Sequence, residues 1–179
     1  MANKTENLIS NEGRLYEVLR KLPNVVLYET GGGREFISEN VKDLLGYPAK
    51  KFTEDREFFV NLMHPDDAEM SSEKLKAWHK KGEPGIMTME FRIQTKEGEW
   101  KWLQDYIMAN KPNGKKEKYM AGVLIDITPR KKAETSLISE EEKYRLLFSK
   151  ANDAIFIMDS EKFIECNEKT LQMFGCKSE

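Results

Sequence analysis

The chain has 179 residues, 39% hydrophobic and 10% aromatic, a composition that excludes a disordered polypeptide and allows one ordinary domain with residues to spare. Its 29 basic and 31 acidic residues are interspersed and leave a net charge of −2, which gives no basic surface for nucleic acid. No apolar stretch approaches the roughly 20 residues that cross a bilayer, "MANKTENLIS" lacks a signal-peptide core, and Cys166 and Cys176 are too few for a disulfide framework. A reduced, cytoplasmic chain without membrane contact in this segment is expected.

From Glu12 to Leu22, apolar residues fall at Leu15, Val18, Leu19 and Leu22, a helical spacing that Pro23 ends. "NVVLYETGGGREFIS" predicts two short strands about a turn at Gly31-Gly32-Gly33. "SENVKDLLGY" predicts a short helix with Ser38 as N-cap and Gly46 as its stop. Residues 58–63, "FFVNLM", form an apolar patch, helical or irregular. Asp66 and Glu69 have capping-box spacing, so a helix is expected from Asp67 to about Lys81, closed by Gly82 and Pro84.

Three strands follow. Met89, Phe91 and Ile93 alternate with Glu90, Arg92 and Gln94; a "KEGE" turn leads to "WKWLQDYIM", and "KPNGK" leads to "KYMAGVLIDI". Short connections carrying Gly predict an antiparallel meander. Val123, Leu124 and Ile125 are apolar in succession, which predicts a strand covered on both faces. In the middle strand Trp100, Trp102 and Tyr106 share one parity, while Leu103 and Ile107 share the other. One face should meet the domain's own helices and the other the helices flanking the domain.

Residues 8–50 and 137–179 repeat at an offset of 129: "LIS" recurs, Glu12 meets Glu141, Lys21 meets Lys150, Glu39 meets Glu168, and Gly46 meets Gly175. "VVLY" meets "AIFI", and Ser38 and Asn167, both competent caps, stand eight residues before their glycines. The expected organisation is one complete module, a connecting helix and the cut-off beginning of a second module, from a longer parent built as an array.

"FISENVKDLLGY", "MHPDD", "EFRIQTKEGEWKWL" and "AGVLIDITPRKKAE" together resemble a PAS domain with its trailing PAC part, and "YRLLFSKANDAIFIMDSEKFIECNEKTLQMFG" resembles the start of another. The resemblance implies an α+β fold: a five-stranded antiparallel sheet with helices on one face, plus flanking N-terminal and linker helices. The implied divisions are a flanking helix at 1–23, a PAS/PAC sensory domain at 24–128, a helical signalling linker at 129–148 and an incomplete second PAS domain at 149–179. It also implies that Asp126-Ile127-Thr128 hands the last strand over to a signalling helix. In that linker Pro129 suits a first turn, and Ala133, Leu137, Tyr144 and Leu147 or Phe148 form a sparse heptad-like seam. The seam fits a register-shifting helix pair, and it also fits a solvated spacer.

The family pattern places a cavity between the inner sheet face and the helices. Strand parity carries this onto Leu27, Phe91, Ile93, Leu103, Ile107 and Leu124, and the helical lid onto Leu45, Phe59, Met63, Leu75 and Trp78. Plain core packing explains the same residues. Asp105 shares the inner parity and needs a partner, a ligand's cation or amide or a basic neighbour at the rim. His64-Pro65-Asp66-Asp67 reads as a helix start, with Asp67 compensating the helix dipole, and no metal site is assigned. His79 is where a haem-bearing redox or gas sensor of this family would put its axial ligand, but "WHKKGE" reads as a cationic helix end. The module has no cysteine before Cys166, which argues against a flavin photosensor. No phosphoacceptor-helix, nucleotide-lid or nucleophile-elbow motif is present, so no catalytic residue is assigned. The expected function is a cytoplasmic sensory and dimerisation module of a signal-transduction protein, with a sensor histidine kinase as the implied parent. Its expected partners are a second copy, a downstream output domain of the same chain and a small ligand, of unassigned identity, in an apolar cavity. The alternatives are a ligand-free transmission module and the His79 haem sensor.

Overall fold

The computed structural model describes residues 13–14, 17–55, 57–83, 85–110 and 119–175. The expected helix at 12–22 lies partly outside them, with residues 17–19 helical; the "KPNGK" turn, Pro84, Cys176 and the first "LIS" lie wholly outside. The described elements follow as β1 (Val25–Gly31), β2 (Arg34–Ile37), α1 (Val41–Leu45), α2 (Ala49–Glu54), α3 (Phe58–Asn61), α4 (Pro65–Lys80), β3 (Ile86–Gln94), β4 (Trp100–Asn110), β5 (Tyr119–Asp126), α5 (Thr128–Lys150), β6 (Phe156–Met158), β7 (Phe163–Cys166) and α6 (Glu168–Phe174). The chain divides into compact units at 1–129 and 130–179.

In the first unit β1 to β5 form one antiparallel sheet in the order β2-β1-β5-β4-β3, so the expected α+β class is observed. The meander β3-β4-β5 is local, whereas β1 must return to pair with β5 across about a hundred residues. Alternation decides which face is buried. Leu124 pairs with Val26 on one side and Asp105 on the other, and Leu103 pairs with Phe91. These positions face the helices, and Val26, Phe91, Ile93, Leu103 and Leu124 are almost fully buried, each contributing about 2 kcal/mol of apolar burial. Leu27 pairs with Val123 on the opposite face and is only half-buried, which corrects the inner-face reading: Val26 and Tyr28 point inward instead. The "VVLY" run is apolar at both parities, so its pattern leaves the face undecided.

Helix α4 begins two residues earlier than the capping-box spacing predicts. His64 is the N-cap, its Nδ1 accepting the Asp66 backbone N–H at 3.3 Å, and Pro65 occupies the first turn. Asp67 does more than answer the helix dipole. Its carboxylate accepts the Arg92 backbone N–H at 2.8 Å, Nε at 2.9 Å and Nη2 at 2.8 Å, tying α4 to β3. The Arg92 guanidinium, hydrogen-bonded to it, holds the Asp67 carboxyl below the usual range. Asp67→Ala should therefore destabilise by about 2 kcal/mol at pH 7, an effect that fades only as pH falls below the usual carboxylate range, where protonation removes the pair from the parent protein as well. Urea unfolding at both pH values checks it.

The repeat is built with different residues in its two copies. Ser38 is not an N-cap; α1 starts after Asn40, whose side chain makes no cap bond. Ser38 Oγ instead accepts the Leu27 N–H at 2.9 Å and donates to Asn40 Oδ1 at 2.6 Å. Asn40 Nδ2 then donates to the Leu22 and Val25 carbonyls at 2.7 and 2.6 Å. In the second unit Asn167 does all of this alone. Its Oδ1 accepts the Ile155 and Thr170 N–H groups at 3.0 Å, and its Nδ2 donates to the Phe148 and Asp153 carbonyls at 3.1 and 2.9 Å. Each latch ties the chain segment entering a module to that module's first strand and following helix. In this second unit β6 and β7 form a hairpin that leaves Phe163 and Ile164 66% exposed.

Candidate functional site

A cavity of about 350 Å³ lies between the inner sheet face and helices α2 to α4, at the small end of the roughly 300–1,000 Å³ of ligand pockets. The sheet supplies Tyr28, Met89, Phe91, Asp105, Ile107 and Leu124, with the half-buried Met120 further along β5. Helix α2 supplies Phe52 and α3 Phe59; α4 offers Ala68, Ser71, Ser72 and Leu75 along one stripe. Glu29, Thr30 and Glu35 of the β1–β2 hairpin stand at its margin. Helix α2, from "AKKFTE", has no counterpart among the sequence expectations.

Of the residues singled out in sequence, Phe59, Met63, Leu75, Phe91, Ile107 and Leu124 line this cavity, together with Asp105. Leu45, Trp78, Ile93 and Leu103 are buried but pack in the core away from it, and Leu27 is on the other sheet face. His79 is outside as well. Its Nδ1 lies 2.6 Å from Glu83 Oε1, with 41% of the side chain exposed, while Trp78 takes the inward direction. His79 lies outside the cavity lining, one residue's difference on a helix being a rotation of about 100° from Trp78.

The chemistry of the cavity is concentrated on Asp105. It is 4% exposed, and the Tyr28 hydroxyl donates to it from 3.0 Å to both Oδ atoms. The partner is thus a phenol, not the basic rim residue considered from sequence. Burial pushes the Asp105 carboxyl up to about 7, with the Tyr28 hydrogen bond opposing the rise. Burial likewise raises Tyr28, and the Asp105 charge raises it further. Tyr28 can lie there because Gly122 is opposite it: an added Cβ would come within 2.3 Å of the ring. A glycine inside an otherwise apolar strand is the sequence signal for such an approach, and it points to the missed Tyr28.

At the exit, Asp126 Oδ1 accepts the Thr128 N–H at 2.8 Å, and its Oδ2 is 3.3 Å from Lys101 Nζ. Thr128 Oγ1 accepts the Trp102 N–H at 2.9 Å, and the Ile127 N–H donates to the Trp102 carbonyl, also at 2.9 Å. Strand β4 therefore carries both Asp105 and the residue that holds the start of α5. Among the described residues no group of His, Cys, Asp and Glu is arranged for a metal, and no helix is long and apolar enough to cross a membrane.

A sheet in this order with a helix-roofed cavity and a helix leaving its last strand is the PAS architecture. A family model described as PAS fold matches residues 34–124, and one described as PAS domain matches residues 142–179. The chain belongs to the PAS family, with a PAS domain followed by part of a second. It is 27% identical over 124 residues to the methyl sulfide methyltransferase-associated sensor of Methanosarcina acetivorans, covering 69% of this chain but only 12% of that sensor. Its fold matches a sensory box histidine kinase/response regulator of Burkholderia thailandensis with a TM-score of 0.57 at 23% identity, over 74% of this chain and 98% of that one. The N-terminal domain of a diguanylate cyclase with PAS/PAC sensor from Marinobacter aquaeolei gives 0.52 at 18% identity, over 59% and 97%.

Proposed function

We propose that residues 24–128 form a sensory PAS module that takes a small molecule into the 350 Å³ cavity and transmits its presence through Asp126-Ile127-Thr128 to helix α5. The observation that carries this reading is the cavity itself, roofed by α2 to α4 and floored by the strand that holds the start of α5. A ligand biases the linker only if it binds one arrangement of that strand and helix better than another. The chain works in the cytoplasm as a homodimer within a longer signalling protein, a sensor histidine kinase in the leading case. The Methanosarcina sensor, of which this chain matches only 12%, supports a longer sensory parent, and a fold neighbour carries histidine kinase in its name. The second subunit meets the half-exposed outer sheet face around Trp100 and Tyr106, together with the linker at 129–148, whose Leu137 is 68% exposed.

The competing reading is a module whose interior is filled by side chains and which only transmits. Ala68→Phe separates the two, because Ala68 faces the cavity from α4. Room to accept the ring predicts a midpoint within about 1 kcal/mol of the parent protein, whereas a filled interior loses roughly 1–3 kcal/mol by overpacking. Transmission has its own test: one residue inserted after Ala133 rotates everything downstream by about 100°. The output of the full-length protein should change sharply, and unaltered output would remove the register-shift mechanism.

A further inference from the structure

We propose that the cavity's occupant is a small organic cation, a protonated amine on an apolar body, with its ammonium group held by Asp105 and its body against Phe52, Phe59 and Phe91. The assignment rests on reading the cavity as a sensory site and adds the chemical class of what it senses.

Three observations point the same way. First, Asp105 is a buried carboxylate aimed into the cavity with one described partner, the Tyr28 hydroxyl. A carboxylate has about four acceptor positions and a phenol supplies a single proton, so most of its capacity is unused where unused capacity is expensive. Second, Ser71 lines the cavity from α4, is 94% buried, and its Oγ has no hydrogen-bond partner among the described residues. A donor group entering near Asp105 offers that hydroxyl an acceptor's role. Third, Phe52, Phe59 and Phe91 line the cavity as one aromatic cluster, tilted or edge to face with centroids 6.3 and 5.8 Å apart, an apolar surface for the ligand's body.

Charge excludes the opposite class. No Lys, Arg or His is among the described lining residues, and the other charged groups at the margin, Glu29 and Glu35, are carboxylates. A carboxylate or phosphate ligand would have to be buried beside Asp105 with no cationic side chain among the described lining residues to compensate its charge. Around Asp105 itself the neighbours are Tyr28 from β1, Met89 from β3 and Leu124 from β5, so the titrating groups facing the site are Asp105, Tyr28, Glu29 and Glu35. Burial pushes the Asp105 carboxyl to about 7. Amine binding therefore strengthens from pH 6 to pH 8 as the carboxylate ionises, while the amine stays charged throughout.

The test compares 2-phenylethylamine, 2-phenylethanol and 3-phenylpropanoate by titration calorimetry on the intact chain at pH 6 and pH 8, with Asp105→Asn and Ser71→Ala alongside. The expected result is that the amine binds about tenfold or more tighter than the alcohol at pH 8, a charge-assisted hydrogen bond's worth, and that 3-phenylpropanoate does not bind. Asp105→Asn should abolish the amine's advantage and its pH dependence while keeping alcohol binding, which also shows that the variant is folded. Ser71→Ala should weaken the amine by a few-fold with little effect on the alcohol. Equal binding of amine and alcohol, or tighter binding of the carboxylate, overturns the cation assignment and leaves the sensory reading standing. Binding of none of the three removes both.

Discussion

Asp105→Asn should convert a protein that loses stability with rising pH into one that does not. In the folded state burial raises this carboxyl from 3.8 to about 7, so between those values the folded protein holds a proton that the unfolded chain has released. The stability tied to that proton is fully present below about pH 4 and is lost as pH rises through 7. A rise of this size corresponds to about 4 kcal/mol, an upper figure. Asparagine carries no such titration and can still accept the Tyr28 hydroxyl proton, so the two proteins should be similar near pH 4 and diverge upward, with the variant the more stable by several kcal/mol at pH 8. Asp67 titrates in the opposite sense and below pH 4, so it does not mask the trend. Urea unfolding at pH 4, 6 and 8 measures it, and parallel curves for the two proteins would show that Asp105 is not held as described. An occupant cation changes the outcome in a defined way: saturating 2-phenylethylamine should flatten the wild-type curve by stabilising the ionised carboxylate.

Gly122→Ala should cost about 3 kcal/mol or more. Gly122 has ordinary strand geometry, so backbone strain is not the cause. The added carbon would meet the Tyr28 ring at 2.3 to 2.5 Å, and the ring cannot tilt away without leaving Asp105. Overpacking in a close-packed sheet costs roughly 1–3 kcal/mol, and loss of a hydrogen bond to a buried carboxyl adds about 1.5–3 kcal/mol. Tyr28→Phe with Gly122→Ala supplies the control. With the hydroxyl already gone, the glycine substitution should cost distinctly less, and additive effects would break the link between the two residues.

The sheet was legible because its chemistry repeats along the chain. Met89, Phe91 and Ile93 against Glu90, Arg92 and Gln94 fix one face without ambiguity, and the same holds for Leu103, Asp105 and Ile107. Where both parities are apolar, as in "VVLY", register comes from pairing with β5 and not from pattern, which is why Leu27 and Tyr28 exchange roles. The caps differ from the sequence pattern for a related reason. Ser38 and Asp66 have capping chemistry, but Ser38 is used by the Leu27 amide and His64 caps α4, choices made by tertiary contacts. Of the cavity, sequence pattern reaches Phe59, Met63, Leu75, Phe91, Ile107 and Leu124, but it cannot separate lining from core, so it does not set Leu45, Trp78, Ile93 and Leu103 apart from them. The Tyr28–Asp105 pair, 77 residues apart, follows only from the β1-β5-β4 order, with Gly122 between the two as its trace in the sequence.

The most direct measurement is a native mass spectrum of the chain and of Ala68→Phe, each purified from cells under the same mild conditions. A sensory cavity predicts a small-molecule mass above the bare 20.8 kDa chain in the parent protein, absent from the filled variant. Bare masses in both, or the same excess in both, would contradict a ligand in this cavity and leave the module as a transmitter.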